Sequence, residues 1–377
     1  MFICPICHNK DPIYIGYKDK KPYCRKCITF TKGKKASQFL FENKNLIKAH
    51  LSYSLTNTQK KASNEIYTSI QRNESVIVNA VCGAGKTELV YQSIEFILNQ
   101  NKKVAFAIPR KDVVMEIYFR LKKDYPQVKV CAVYGGHTND LQGQLIVLTT
   151  HQLFRYKNYF DLLILDEADA FPYYQNDLLS LFLKESLKGP IIYLSATIRD
   201  SYKKECLNIV YVNRRFHNYD MPVPIYKKYT FFNCYLVLNN ILKTLLKRQQ
   251  PILLFVPTIE IGLRIKKKLS FPFVYANYPN KTDILSRFKR KEFPVLITTT
   301  ILERGITIKA VNVIVFEANH RLFDESSLIQ ISGRVGRKLS CPTGSVYFLA
   351  THQSDSMKKC IKEIKRKNHD DFRKENP

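Results

Sequence analysis

The chain has 377 residues, enough for two or three domains that each bury a core. It carries 60 Lys and Arg against 32 Asp and Glu, a formal charge of +28, which favours nucleic acid or, second, an anionic membrane surface as partner, unless it reflects a general lysine-rich bias spread over the whole chain. No apolar stretch approaches the ~20 residues that span a bilayer, and no secretory signal is visible in the first residues, so neither a spanning helix nor secretion is expected.

The first element predicted along the chain is a metal site built from four of the ten cysteines. Cys4 and Cys7 form one C-x-x-C pair and Cys24 and Cys27 a second, with sixteen residues between the pairs. Two such pairs can present four thiolates to one tetrahedral zinc ion, and redox use of a single pair is the weaker alternative. The insert PIYIGYKDKKPY predicts a short hairpin, so the sequence indicates a small zinc ribbon.

The surroundings of this ribbon leave its ligand open. Residues 1–50 hold eleven Lys and Arg against three Asp and Glu, interleaved with tyrosines, a composition that suits single-stranded nucleic acid. A structural or partner-docking ribbon fits equally well, since a zinc module by itself reports stability. His8 lies beside the site but is not needed, because four cysteines fill the coordination shell. The other six cysteines are scattered, which favours a reducing, cytoplasmic location.

From about residue 50, short apolar runs alternate with segments of helical period, a pattern typical of parallel sheets covered on both faces. The predicted strands of a first domain are 76–78, 104–108, 128–133, 145–148, 162–165 and 191–194. A second set comprises 252–256, 295–297, 311–316 and 345–349, and residues 354 onward predict a terminal helix. The stretch 198–228 is predicted as the linker and the entry into the second domain, and the expected division is 1–50, 51–205 and 206–377.

A glycine-rich loop, AVCGAGKT, follows the first of these strands at residues 80–87. Backbone N–H groups of such a loop can wrap the phosphates of a nucleotide, so Gly83, Ala84 and Gly85 are candidate binding residues. Lys86 is expected to reach the terminal phosphates and the Thr87 hydroxyl to hold Mg²⁺. A helix that begins at Thr87 would point its positive end at the nucleotide.

The acidic string DEAD follows the apolar run 162–165. The carboxylate of Asp166 is placed to give Mg²⁺ a second contact, and Glu167 to act as the water-activating base. Each motif alone is a pattern match, but the two in this order predict hydrolysis of a nucleoside triphosphate such as ATP. The bland alternative is a helix-capping turn followed by a solvated acidic loop.

A series of short motifs lies in the loops after the predicted strands, and this series resembles the superfamily 2 helicases and translocases. In chain order the motifs are Gln59, IPRKDVV (108–114), YGG (134–136), LTTHQL (148–153), DEADA, SAT (195–197), FVPT (255–258), TTTILERGIT (298–307) and QISGRVGR (330–337). The resemblance covers residues 50–350 and implies two tandem RecA-like domains that close on ATP.

Within that superfamily, the four-cysteine front end, PRKDVV and TTTILERGIT resemble the late competence ATPase family, ComFA. The resemblance implies a motor that drives single-stranded DNA into the cytoplasm during natural transformation of Gram-positive bacteria. It also implies three partners: the competence membrane channel, a phosphoribosyltransferase-like competence protein and a DNA-processing protein. A position at the inner face of the cell membrane is implied in the same way.

The resemblance also assigns roles to individual residues. Gln59 would read the adenine edge, and Gly305 would contribute to the nucleotide site. Arg334 and Arg337, expected to start a helix, would stabilise charge on the γ-phosphate in the transition state. Residues that would couple hydrolysis to movement are Asp169, Ser195, Thr197 and Gln330, although Ser195 and Thr197 could instead cap a turn. Candidate contacts to nucleic-acid phosphates are Arg110, Gly135, Gly136, Thr150, Thr258 and Thr299.

Two other functions compete with a DNA motor. The DEAD string is also found in the DEAD-box RNA helicases, which are the first alternative. Three departures argue against them: this chain has PRKD where they have PTREL, Gln330 where they have His, and Thr300 and Thr307 where they have acidic residues. The other alternative is a zinc-dependent adaptor that binds nucleic acid, in which ATP switches the conformation without moving the protein along the strand. Oligomeric state and direction of movement are not predicted by any motif.

Overall fold

The computed structural model describes residues 2–30, 33–43, 45–168, 176–197, 206, 208–299 and 308–369. The chain divides into two compact units, the first formed by Met1–Asn79 with Thr87–Val210 and the second by Ala80–Lys86 with Tyr211–Pro377. Each unit is built around its own β-sheet, as the two sets of apolar runs predict.

The first unit contains a small hairpin and a seven-stranded sheet whose order is β5-β6-β4-β7-β8-β3-β9. The six strands from β5 to β3 pair in parallel. Nearly every residue of these strands is buried, because helices cover both faces of a parallel sheet. The strands are β1 (Ile15–Lys18), β2 (Lys21–Cys24), β3 (Val76–Ala80), β4 (Val104–Ile108), β5 (Val130–Val133), β6 (Leu145–Thr149), β7 (Leu162–Asp166), β8 (Ile191–Ser195) and β9 (Asn208–Val212). The helices are α1 (Asn57–Gln71), α2 (Lys86–Leu89), α3 (Tyr91–Leu98), α4 (Lys111–Asp124) and α5 (Asp177–Ser186).

The four-cysteine module, which comprises the hairpin of β1 and β2 and the turn Ile28–Phe30, packs against the sheet-containing part of the first unit through Phe30. The ring of Phe30 lies between Phe154 and Phe182, with centroid distances of 5.1 and 5.0 Å in edge-to-face geometry. Such pairs contribute about 0.5–1.5 kcal/mol each beyond the area they bury. His8 adds a 2.9 Å contact to Glu185 from the exposed side. The predicted ribbon is therefore docked on its neighbour.

The segment 33–50 has no helix or strand among its described residues, yet hydrogen bonds fix it to the surface of the first unit. The Ala36 N–H donates to the carbonyl of Arg155 at 2.9 Å. Farther along, Asn99 clasps the backbone of Ile47 by accepting at 2.7 Å and donating at 2.9 Å. These bonds satisfy backbone groups that regular structure would otherwise pair, and they lead the chain from the hairpin to α1.

The second unit contains a six-stranded parallel sheet in the order β10-β15-β14-β11-β13-β12. Its central strands are buried throughout, and α10 packs on α9 with Met357, Cys360 and Ile364 buried. The strands are β10 (Ile225–Lys228), β11 (Ile252–Phe255), β12 (Phe273–Val274), β13 (Val295–Thr298), β14 (Asn312–Phe316) and β15 (Val346–Ala350). The helices are α6 (Cys234–Leu246), α7 (Ile259–Leu269), α8 (Lys281–Lys289), α9 (Glu325–Ser332) and α10 (Asp355–His369).

The predicted fold class is confirmed: two RecA-like units with parallel sheets follow a four-cysteine hairpin. The ten predicted strands all exist, to within two residues at their ends. The stretch 198–228, predicted as the linker and the entry into the second domain, contains β9 of the first sheet and β10 of the second. Among the described residues, no helix has both the length and the apolar character needed to cross a bilayer.

Candidate functional site

The glycine-rich loop lies between β3 and α2. Gly83 and Gly85 adopt φ of +90° and +80°, a conformation that side chains with a Cβ rarely tolerate, so the loop requires glycine there. Helix α2 begins at Lys86, one residue before the predicted start, and the Thr87 side chain is buried. A turn of this shape directs successive backbone N–H groups toward one point, which is what a phosphate group needs.

Asp166 is the last residue of β7, and its Oδ1 accepts a hydrogen bond of 2.8 Å from the Glu167 N–H. Glu167 has a φ of +54°, in the left-handed region, which is an uncommon conformation for glutamate. Strained backbone of this kind collects at functional sites, where it aims a side chain. The acidic pair thus sits at the carboxyl end of a buried strand, as the sequence predicts.

Strand order brings these elements into register. Strand β8 lies between β3 and β7, with Asn79 opposite Ser195 and Leu194 opposite Asp166. The carboxyl ends of the three strands therefore meet at one edge of the sheet, where open α/β sheets bind ligands. Ser195 makes a local ring there: its Oγ accepts from the Thr197 N–H at 3.1 Å and donates to the Thr197 carbonyl at 2.6 Å.

Gln59 occupies a helix-capping position in the first unit. Its Oε1 accepts a bond of 3.0 Å from the Thr56 N–H, while Thr56 Oγ1 accepts 3.2 Å from the Gln59 N–H, which closes a capping box at the start of α1. The residue is 5% exposed. Its role toward adenine stays a prediction, and its capping role is an additional finding.

The two arginines of QISGRVGR lie after a helix. Helix α9 ends at Ser332 and Gly333 caps it, so the expectation that Arg334 and Arg337 start a helix is wrong. The reason is local: Gly336 has a φ of +70°, which the α-helix cannot accommodate. Gln330, in the last turn of α9, and Arg334 are both buried.

Two residues near this loop were not singled out in the sequence. Arg215 is 1% exposed, and its guanidinium donates to the carbonyls of Val335, Gly336 and Gly333 at 2.7, 2.8 and 3.3 Å. His217 Nε2 lies 2.8 Å from the same Gly336 carbonyl. The signal in the sequence was the string NRRFH at 213–217, which falls in the stretch predicted as linker.

The four cysteines converge as predicted. Their Sγ atoms all lie within 4.8 Å of one another, with Cys4 to Cys27 at 3.4 Å and Cys7 to Cys24 at 3.5 Å. A tetrahedral zinc ion with Zn–S of about 2.3 Å requires S···S of about 3.8 Å, so small shifts suffice. The arrangement is compatible with zinc. His8 lies outside the cluster and contacts Glu185 instead.

The protonation of these thiols depends on their surroundings. Burial, with the neighbouring thiols, raises the pKa of Cys27 well above its usual range, and burial also raises that of Cys7 to about 11. Burial acts to raise the pKa of Cys4, but hydrogen bonds from the backbone N–H groups of Cys7 and Ile6 outweigh it. The pKa of Cys4 is therefore lowered to about 7. Since zinc binds thiolates, loading the site would release protons.

The candidate nucleic-acid contacts differ in accessibility. Arg110 is the residue before α4, and a Cβ on Gly135 or Gly136 would meet nothing within 4 Å, so backbone N–H groups are reachable at this turn. The Thr150 side chain is completely buried, which leaves its main chain as the means of contact. Thr258 Oγ1 accepts from the Ile261 N–H at 3.2 Å and caps α7, and Thr299 follows β13.

Four residues named in the sequence analysis lie outside the described residues: Asp169, Thr300, Gly305 and Thr307.

Comparison with known proteins gives the class. Residues 52–200 match the family described as type III restriction enzyme, res subunit, and residues 236–338 match the helicase conserved C-terminal domain. Among solved structures, Mss116p bound to ssRNA and AMP-PNP has a TM-score of 0.63 at 19% identity, over 81% of this chain and 71% of that one. RecG bound to a three-way DNA junction has a TM-score of 0.59 at 18% identity, over 83% of this chain and 45% of that one. At such identities the solved structures show a shared fold, and the two family matches define the class, a superfamily 2 helicase.

The family follows from two curated relatives. Competence protein ComFA of Streptococcus pneumoniae is 36% identical over an alignment of 370 positions, which covers 92% of this chain and 85% of that protein. Competence protein ComFA of Bacillus subtilis is 32% identical over an alignment of 400 positions, which covers 97% of this chain and 85% of that protein. The chain belongs to the ComFA family.

Proposed function

We propose that this protein is an ATP-driven translocase on single-stranded DNA that acts in DNA uptake during natural competence. The observation that carries the proposal is that the glycine-rich loop follows β3 while Asp166 and Glu167 lie at the end of β7, the two strands that flank β8, in a chain of the ComFA family. The proposed organisation is a zinc module (1–50), a first RecA-like domain (51–205) and a second (206–377). The proposed location is the cytoplasm, at the inner face of the cell membrane.

The proposed chemistry assigns one task to each group. Lys86 and the loop N–H groups hold the β- and γ-phosphates, while Thr87 and Asp166 would hold Mg²⁺, which neutralises phosphate charge when bound. Glu167 orients the attacking water and takes its proton. Arg334 and Arg337 stabilise charge on the γ-phosphate, and Gln59 reads the base. Hydrolysis at the cleft between the RecA-like domains would then power movement along the strand.

The proposed strand contacts go to phosphates and carry no sequence information. Arg110 and the open turn at Gly135 and Gly136 support this, since a guanidinium and exposed N–H groups are suitable donors. The three partners implied by the resemblance, namely the membrane channel, the phosphoribosyltransferase-like protein and the DNA-processing protein, remain part of the proposal.

One specific observation favours an alternative. Two of the solved structures with this fold, Mss116p and S. cerevisiae Dbp5, are bound to RNA, so an RNA-stimulated ATPase is the second candidate. The third is the ATP-switched adaptor, in which the zinc ribbon binds nucleic acid without movement.

The test is ATP hydrolysis measured side by side with no polymer, single-stranded DNA, duplex DNA and RNA at one salt concentration. We expect selective stimulation by single-stranded DNA, by ~10-fold or more, because closure on the strand completes the catalytic site. Equal or greater stimulation by RNA would transfer the proposal to RNA. Turnover that no polymer raises would favour the adaptor.

A further inference from the structure

The segment 213–218, which follows β9, carries a buried cation whose partners are all main-chain oxygens. Both hydrogens of Arg215 Nη1 are used, toward Val335 at 2.7 Å and Gly336 at 2.8 Å, and Nη2 donates to Gly333 at 3.3 Å. Gly333 caps α9, whose carboxyl end attracts a positive charge. A planar guanidinium that binds three carbonyls of one loop fixes the shape of that loop, Gly333–Arg337.

His217 adds a second bond to the same loop. Its Nδ1 accepts from the Tyr219 N–H at 3.2 Å, which makes Nε2 the protonated nitrogen that donates to the Gly336 carbonyl at 2.8 Å. Burial and the nearby Arg215 lower the pKa of His217, although its bond to Gly336 acts the other way, so the ring stays neutral at neutral pH. The Gly336 carbonyl thus accepts from both side chains.

The same segment touches the glycine-rich loop, whose residues 80–86 belong to the second unit. The Phe216 N–H donates to the Gly83 carbonyl at 3.3 Å. A Cβ on Gly83 would lie 3.5 Å from Arg215 Cγ, and one on Gly333 would overlap Cys82 Cβ at 2.5 Å. Consecutive residues of one segment therefore bind the loop that follows β3 and the loop that carries the two arginines.

We propose that Arg215 and His217 are positioning residues that clamp the loop Gly333–Arg337 in the conformation that presents Arg334 and Arg337 to the nucleotide. This inference rests on the proposed ATPase function. Both hydrogens of Arg215 Nη1 are donated to main-chain carbonyls, so they are not available to a phosphate group. Arg215 therefore acts by holding the loop and does not bind the nucleotide itself. Lysine at this position would keep the charge and lose the planar fork.

The first test is the steady-state kinetics of Arg215→Lys. We expect kcat to fall by ~10-fold or more while KM for ATP changes less than about threefold, because a displaced arginine loses stabilisation made only in the transition state. Arg248→Lys is the matched control, since Arg248 is exposed and donates to Ser345 in the same unit. His217→Ala should lower kcat, and His217→Gln, which keeps a donor near the Nε2 position, should recover part of it.

Two further measurements decide between positioning and general loss of structure. If Arg215 acts through Arg337, the double variant Arg215→Lys/Arg337→Ala should be no slower than Arg337→Ala alone, whereas independent effects multiply. In Arg215→Lys, the hydrogen-exchange rate of the backbone amides of residues 333–337 should rise at least about tenfold, while the exchange rates in strands β11–β14 stay unchanged. Unchanged exchange at these amides overturns the clamp even if the parent proves to have no ATPase activity, and parental kcat in Arg215→Lys overturns it if the parent is active.

Discussion

Replacing Lys86 with alanine is expected to reduce ATP hydrolysis by at least ~10²–10³-fold, because the ammonium is the charge nearest the terminal phosphates in the proposed site. Lys86 is the first residue of α2 and follows Gly85 directly. Gly85 has a φ of +80°, which residues with a Cβ rarely adopt, so the position of Lys86 depends on glycine at residue 85. The measurement is phosphate release at saturating ATP with and without single-stranded DNA.

The companion variant Glu167→Gln separates binding from chemistry. It retains the size of the side chain and removes the base, so hydrolysis should fall by ~10²–10⁴-fold while ATP binding persists. Lys86→Ala should instead weaken both. DNA affinity should stay within a few-fold of the parent in each variant, because neither residue is among the proposed strand contacts.

An exposed lysine supplies the control for charge. Lys247→Ala removes the same charge from the end of α6 and should leave turnover unchanged. A Lys86→Ala protein with parental activity would refute the assignment of the nucleotide site, whatever the nucleic-acid results show.

The buried strands could be predicted because each is a continuous apolar run. Val104–Ile108 and the apolar residues 162–165 of β7 lie in the centre of the first sheet, where burial on both faces favours apolar side chains. The three sheet strands that were missed among the described residues are sheet edges: β9, Asn208–Val212, ends the first sheet, β10, Ile225–Lys228, is half polar, and β12 has two residues. Edge strands carry weaker patterns because water covers part of them.

The contacts that fix loops could not be predicted from pattern. Segment 33–50 has no periodicity, and its bonds to Asn99 and Arg155 join residues far apart in the chain. Arg215 has the same difficulty, since an arginine that binds carbonyls 118–121 residues away looks like any surface arginine in the sequence. The direction of the arginine loop after α9, by contrast, was open to prediction from Gly333 and Gly336, because glycine ends helices.

Substitution of Cys24 by serine is expected to remove the metal from the front module. The parent should bind about one zinc per chain and the variant less than about 0.1, because a hydroxyl is a poor ligand where four thiolates close a tetrahedron. The hairpin is too small to bury a core of its own, so the folding free energy of the ribbon comes mainly from the metal. Metal analysis of the purified proteins, with and without a chelator, measures this directly.

His8→Ala is the matched control for this change. His8 lies one residue from Cys7, contacts Glu185 at 2.9 Å and is no member of the cysteine cluster, so its variant should keep a full zinc complement. Metal-free parent protein that unfolds at the same temperature as the zinc-loaded form would contradict the prediction. Zinc loss in His8→Ala would contradict the four-cysteine coordination.

A second variant, Phe30→Ala, distinguishes the two readings of the ribbon. It should retain zinc but lose the aromatic contacts to Phe154 and Phe182, so the module would be folded and undocked. If the ribbon binds DNA, Cys24→Ser should weaken affinity for single-stranded DNA more than Phe30→Ala does, since the exposed Tyr14 and Tyr17 need only a folded hairpin. If the ribbon is structural, both variants should lower the unfolding temperature of the first unit. Their affinities for single-stranded DNA should then be equal to each other.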